Sequence, residues 1–431
     1  MLPRKQYVDE LIRLKDNGRV KIITGLRRSG KSVLLFGLFR EYLLSAGVRP
    51  EEIIEIQLDD LKNIKYRNPL DLDKYVRDLI GDPTKRFYVF IDEIQLVSEM
   101  QNPYVDDPEA KITFVDVILG LMKIKNTDIY VTGSNSKMLS SDVLTQFRDR
   151  GDEVRVFPLS FAEFYDVYEG DKREAWQDYY TYGGMPMIVG METHERKSKY
   201  LRDLVERTYI RDIVERNKIK NDEKVLSVLL DVLASGTGSL TNPRKLSNTF
   251  KSERNIPLAP DTIDRYLGFF EESYLIQKAV RYDVKGKKYI KTPSKYYYTD
   301  LGLRNARLGF RQMEETHLME NVLYNDLIRR GFDVDVGVVE LATMEDGKKI
   351  RKQLEVDFVV NRGNDRYYIQ SALSIADPEK KKQEIASLLR IQDSFKKIVV
   401  VKDYLKPWKD DYGIQYVGIE NFLRDENILV G

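Results

Sequence analysis

Eight residues near the start of the chain have the types and spacing to hold a run of phosphates. Gly25-Leu26-Arg27-Arg28-Ser29-Gly30-Lys31-Ser32 fits G-x-x-x-x-G-K-[ST]. Gly25 and Gly30 let the backbone turn so that successive N–H groups point inward at phosphate oxygens. Lys31 brings an ammonium to the outer phosphates, and the Ser32 hydroxyl suits Mg²⁺. The helix expected over 33–46, opening at Val33, adds its positive N-terminal end. An Ile/Val strand before the loop and an amphipathic helix after it are the context such a loop needs.

Further along, the apolar run Phe87–Ile91 closes on Asp92 and Glu93. Burying unpaired charge is costly, so two carboxylates at a strand's C-terminal end belong in the ligand crevice of an open sheet. Asp92 is the candidate Mg²⁺-side carboxylate, acting through water. Glu93 is the candidate base that orients an attacking water. A strand that merely ends in a solvated acidic turn is the competing reading. Gln95 could also touch that water, although the exposed side of the next turn is the simpler expectation. A fourth strand ends in Thr132-Gly133-Ser134-Asn135, where Ser134 or Asn135 is placed to touch an outer phosphate or the lytic water, or else to cap the next helix. Arg148 and Arg150 are candidates for a charge-stabilising arginine, in cis or across an oligomer interface; a plain surface role competes.

Composition narrows the rest. The 431 residues carry 70 Lys+Arg and 69 Asp+Glu, so no global field draws nucleic acid or membrane, and such a partner needs a local patch. The absence of Cys excludes disulfides, thiolate nucleophiles, Cys-ligated zinc and iron–sulfur clusters, and two His leave little room for a His-based metal site. What remains is carboxylate, Lys, Arg, hydroxyl and backbone N–H. No secretory signal is visible and no run approaches ~18 apolar residues. No membrane partner is therefore expected, and the cytoplasm is the expected address.

Short, non-alternating Ile/Val/Tyr/Phe runs at 20–24, 53–58, 87–91 and 128–132 look like buried parallel strands. Helical stretches at 31–46 and 112–124 alternate with them, which predicts a doubly wound α/β sheet. Residues 98–111 read as a loop or short insertion. Residues 161–235 read as mainly helical, interrupted at Tyr182–Pro186, where two adjacent Gly force a backbone-driven turn. Helices are expected at 223–235, 243–253 and 260–273, strands near 275–283 and 288–298. A second α/β unit follows, with helix 314–330, strands 332–341, 353–360 and 366–371, helix 378–391 and strand 397–402.

These features resemble the AAA+ superfamily of P-loop ATPases. More narrowly they are similar to prokaryotic predicted ATPases with GxRRxGKS, a DE-type second motif, a TGS strand end, PLSF-x-E-F and Y-G-G-x-P. Here these stand at Gly25–Ser32, Asp92-Glu93, Thr132–Ser134, Pro158–Phe164 and Tyr182–Pro186. The resemblance runs nearly end to end. It implies binding of ATP with Mg²⁺, hydrolysis, a middle winged helix, and a C-terminal domain related in fold to PD-(D/E)xK nucleases. Arg150 matches the Arg of the family's GR-type phrase, with Asp149 in place of Gly.

The expected fold class is thus α/β: a doubly wound parallel P-loop NTPase sheet over 1–165, a helical extension at 166–222, a winged helix at 223–310, and a restriction-endonuclease-like α/β domain at 311–431. The third helix of the winged segment is acidic, which suits groove entry poorly. The hairpin is basic (Arg281, Lys285, Lys287, Lys288, Lys291 and Lys295 against Asp283), so backbone contact with DNA would run through Lys285, Lys287, Lys288 and Lys291. Protein docking is the competing role. In the last domain, Glu320 and Asp357 match the nuclease pattern, but Gln370-Ser371-Ala372 stands where a D/E-x-K should. Metal-dependent cleavage would lack parts, and the domain is expected to be inactive. Lys380, Lys381 or Lys382 offers a substitute lysine, although a solvated face is the simpler reading.

The functional expectation is a Mg²⁺-dependent ATPase that rearranges its winged-helix and nuclease-like parts. The alternatives are a nucleotide-gated module binding nucleic acid or protein, and an ATP-regulated nuclease. A homo-oligomer or a protein partner is compatible with all three.

Overall fold

The computed structural model describes residues 2–133, 150–220, 222–311, 313–345 and 348–429, with no side chains described over 342–351. Contacts divide the chain into two units, one of residues 1–157 and 272–274, the other of 158–271 and 275–431.

The first unit is built on a five-stranded sheet. Its strands are β1 (Val20–Thr24), β2 (Ile53–Gln57), β3 (Phe87–Asp92), β6 (Thr127–Thr132) and β7 (Gly151–Arg155). Their order is β2-β3-β6-β1-β7, every neighbour parallel. β1, β3 and β6 are buried at every residue, as the unbroken apolar runs require. Alternate side chains feed two cores. Ile22, Val89, Ile91 and Val131 meet Leu72, Val76, Ile118 and Leu121 from the helices Pro69–Leu79 and Phe114–Leu121. Ile23, Phe90 and Tyr130 meet Leu11, Leu34, Phe39 and Leu43 on the other face. The expected loop at 98–111 carries a two-residue ladder, β4 (Met100–Gln101) with β5 (Lys111–Ile112).

The helix after the phosphate loop is less regular than its sequence suggests. Lys31–Val33 and Arg40–Ser45 are α-helical, but Leu34–Phe39 between them is wound as a π-helix. The widened turn still buries Leu34, Leu35 and Phe39.

The second unit holds the expected helices Glu223–Ser235, Pro243–Arg254 and, but for its last residue, Pro260–Glu272, then an eight-stranded mixed sheet. Its strands are β8 (Ile276–Asp283), β9 (Lys288–Tyr298), β10 (Asp333–Glu345), β11 (Lys348–Arg362), β12 (Asp365–Ala372), β13 (Lys396–Val401), β14 (Trp408–Lys409) and β15 (Gln415–Gly418), in the order β14-β15-β13-β12-β11-β10-β8-β9. The hairpin assigned to the winged segment is therefore also the edge of the C-terminal sheet. Arg281, Tyr282 and Asp283 of β8 pair in parallel with Val336, Gly337 and Val338 of β10. The short strands β14 and β15 and the helix Ile419–Arg424 lie beyond the expected elements.

The Tyr182–Pro186 turn is a docking point. The Gly184 carbonyl accepts the Leu159 N–H at 2.7 Å, and its own N–H donates to Asp300 Oδ2 at 2.7 Å. A Cβ on Gly184 would lie 2.1 Å from the Leu159 carbonyl oxygen. Backbone cannot retreat as a side chain can, so Gly184→Ala is expected to destabilise the second unit by ~3 kcal/mol. Urea unfolding should show the lower midpoint at an unchanged slope.

Candidate functional site

The strand order sets the site. β1, β3 and β6 are adjacent, so their C-terminal ends bring Gly25, Asp92 and Thr132 to one edge. Gly25 has φ 127°, and a Cβ there would sit 2.1 Å from the Val156 carbonyl oxygen. Only glycine meets both demands. Gly30, at φ 100°, caps the helix that opens at Lys31, and Arg28 takes the left-handed region at φ 64°. Leu26 is buried; Arg27, Arg28 and Val33 are exposed, and Gly30 and Ser32 are half-buried.

Lys31 is 5% exposed, and its ammonium donates to the carbonyls of Gly25 at 3.1 Å and Leu26 at 3.0 Å. Burial pushes it down to about 8, against the opposing pull of Glu93 and Asp92. Ser29 is wholly buried and its Oγ has no hydrogen-bond partner. A buried ammonium resting on carbonyls and an orphaned hydroxyl in the same loop fit an anion with several oxygens. The Ser32 hydroxyl and the Asp92 carboxylate, the expected Mg²⁺ pair, are oxygen donors of the kind that ion takes. Among the described residues no group of three His, Cys, Asp or Glu is placed to hold a metal.

Asp92 and Glu93 are organised by a residue the sequence reading passed over. The Thr132 hydroxyl, fully buried at the end of β6, donates to Asp92 Oδ1 and accepts the Glu93 N–H at 3.1 Å. Glu93 is held at φ 52°, ψ 48°, an uncommon backbone region for its type. Gln95 is half-buried, and its side-chain amide donates to Glu93 Oε2, so it belongs to the site and not to an exposed turn. Arg4 was also missed. It is 7% exposed, and its guanidinium donates to the carbonyls of Phe157 at 2.6 Å and Ser29 at 3.5 Å, tying the loop to the end of the sheet.

Ser134, Asn135 and Arg148 lie outside the described residues. Arg150 is described, but at the other end of the sheet. Its carbonyl accepts the Val20 N–H at 3.0 Å, while Arg155 pairs with Thr24 beside the loop. Roughly 13 Å of strand separates the two ends, which removes the role in cis and leaves the one across an interface.

In the second unit Lys285, Lys287, Lys288 and Lys291 are exposed as expected, with Tyr289 among them. Arg281 and Lys295 are instead buried; Arg281 donates to Gln353 at 2.8 Å. Of the offered substitute lysines, Lys381 lies over the Trp408 and Tyr416 rings, and Lys380 and Lys382 are exposed, as the solvated-face reading has it.

The Lys31 geometry has a pH consequence. A polyphosphate favours the charged amine, so the bound site keeps its proton to higher pH than the free one. Above about 8 the free amine is increasingly neutral, and binding must take up a proton. Affinity for Mg-nucleoside triphosphate should fall as pH rises from 8 towards 10. Calorimetry in two buffers of different ionisation heat should record the uptake at pH 9 but not at pH 7. Lys31→Arg, which cannot lose its proton, should show none.

Residues 17–165 match the model of an AAA domain, and residues 173–314 match a domain of unknown function. An uncharacterized Haemophilus influenzae protein is 33% identical over 428 residues, 98% of both chains. An uncharacterized Methanocaldococcus jannaschii protein is 26% identical over 391 residues, covering 87% of this chain and 79% of that one. A Walker-type ATPase of Pyrococcus abyssi superimposes with a TM-score of 0.47 at 14% identity, over 72% of this chain and 96% of that one. The chain belongs to the family of the Haemophilus influenzae protein, and its residues 17–165 carry an AAA domain.

Proposed function

We propose that the protein binds Mg-ATP and hydrolyses it to ADP and phosphate, and that the nucleotide state rearranges its parts. The observation that carries this is Lys31, buried on two carbonyls in a loop with a partnerless serine hydroxyl. Backbone N–H groups of residues 25–33 would hold the phosphates, with Lys31 on the outer ones. Ser32 and Asp92 would hold Mg²⁺, which offsets charge on the phosphate oxygens when bound. Glu93 would accept from the lytic water and align it, with Thr132 holding its backbone N–H and Gln95 its carboxylate. Ser134 and Asn135 are candidates for contact with the outer phosphate, and Arg150 for a contribution from a second copy.

For the second unit we read a nuclease-related fold without nuclease activity, because Gln370 and Ala372 replace an acid and a lysine. A second function is favoured by the exposed Lys285, Lys287, Lys288, Lys291 and Tyr289. Four ammonium groups around an aromatic ring suit a nucleic-acid backbone with a stacked base.

Steady-state phosphate release with Mg²⁺, with chelator, and with or without DNA tests the reading. Glu93→Gln should lower turnover ~100-fold or more while nucleotide still binds. Thr132→Val should also slow turnover, with little change in affinity. Loss of binding in Glu93→Gln, or turnover untouched in both variants, would sink these roles. If the hairpin meets phosphates, replacing Lys287 and Lys288 by Ala should lower the slope of log affinity against log salt by ~2.

A further inference from the structure

Lys295, counted from sequence among the bases of the hairpin, lies inside the second unit at 3% exposure. Its ammonium donates to Glu320 Oε1 at 2.8 Å and pairs with Glu355 Oε1 at 2.6 Å. The Tyr297 hydroxyl donates to the same Glu320 oxygen at 2.5 Å. Asp357 completes the group; its Oδ2 accepts the Ser371 N–H at 2.8 Å.

A bulge delivers Asp357 to this place. The β10–β11 register shifts between Asp335 and Gly337, opposite Val356 to Val359. Val356 and Val359 then both enter the core shared with Leu388. Phe358 turns the other way, its ring 6.3 Å from those of Tyr297 and Tyr324. Asp357 follows Phe358 to the side of Glu320 and Lys295.

In a metal-dependent nuclease of this strand order, two or more carboxylates must be left for the cation, with the lysine beside them to meet phosphate or water. The residues here do not fit that arrangement. Lys295 engages Glu320 and Glu355 itself. Gln370 is neutral and its side-chain oxygen accepts the Asp357 N–H at 3.4 Å. Ala372 lies in the apolar core. Burial and the neighbouring Glu320 push the Asp357 carboxyl well up, which favours its neutral form over a metal-binding one. Burial alone would lower the Lys295 amine, but Glu320, Asp357 and Glu355 outweigh it and keep the charge in place.

We propose that Lys295 is the resident cation of this pocket, standing where a nuclease would hold its divalent ion and closing the carboxylates to metal. The ammonium joins β9 to the helix Glu315–Arg329 and to β11, so the cluster cross-links the second unit instead of cutting a phosphodiester. The nuclease-like reading supplies only the comparison; the four side chains carry the inference, and it is independent of ATP hydrolysis.

Mn²⁺ titration of the nucleotide-free, full-length protein, followed by electron paramagnetic resonance, tests it. The wild type, Glu320→Gln and Asp357→Asn should bind equal numbers of Mn²⁺, since any ion at Asp92 is common to all three. Lys295→Met frees the carboxylates and should gain one Mn²⁺, lost again when Glu320→Gln is added. Lys295→Arg keeps the charge and should gain none. A wild-type Mn²⁺ that disappears in Glu320→Gln or Asp357→Asn overturns the proposal, as does a folded Lys295→Met protein that gains no ion. Should Lys295→Met not fold, the comparison of wild type with the two carboxylate variants decides alone.

Discussion

Lys31 is placed where an ammonium pays for lost water with two carbonyl contacts, and much of the first unit serves that placement. The loop can wrap the amine only because Gly25 lets the backbone pass against the Val156 carbonyl. The sheet order then sets β3 and β6 beside β1, so the strand ends carry an acid pair and its anchoring hydroxyl to the same edge. An apolar interior on both faces holds the strands in register. The cationic centre is left short of full compensation, which is the condition for seizing a polyanion.

The two buried lysines show how neighbours decide what burial means. Lys31 and Lys295 are almost equally withdrawn from water. One loosens its proton and the other tightens it. Lys31 rests on neutral carbonyls, with its acids acting at a distance. Lys295 touches two carboxylates and feels a third. The first has capacity to spare for a ligand; the second has been satisfied by the chain itself.

What could be read from sequence divides along the same line as local and non-local interactions. The phosphate loop and the Asp92-Glu93 pair were legible because one stretch of chain contains their whole logic: turn-forming glycines, or a buried run closing on acids. Helices and strands with clear period were legible too. Thr132 was not, because its role depends on which strand lies beside β3, and pairing is not written in either strand alone. Arg4 makes its contacts 25 and 153 residues away. Lys295 looked like one more base of a charged hairpin until the sheet closed over it. Arg150 has the right type but the wrong end of a strand, a distinction that spacing does not carry. The bulge before Phe358 is likewise invisible to an alternating pattern, since it breaks that pattern by one residue.

The π-wound stretch Leu34–Phe39 has its own implication for how length changes are absorbed. A turn of this kind holds one residue more than an α-turn would. It acts as a phase adjuster between the end of the helix that faces ligand and the end that grips the core through Phe39. Removing a residue inside the stretch would let it relax to ordinary winding. Removing one further on, within Arg40–Ser45, would rotate Leu43 off the apolar face. The stretch is thus the place in this helix where the chain has slack to give.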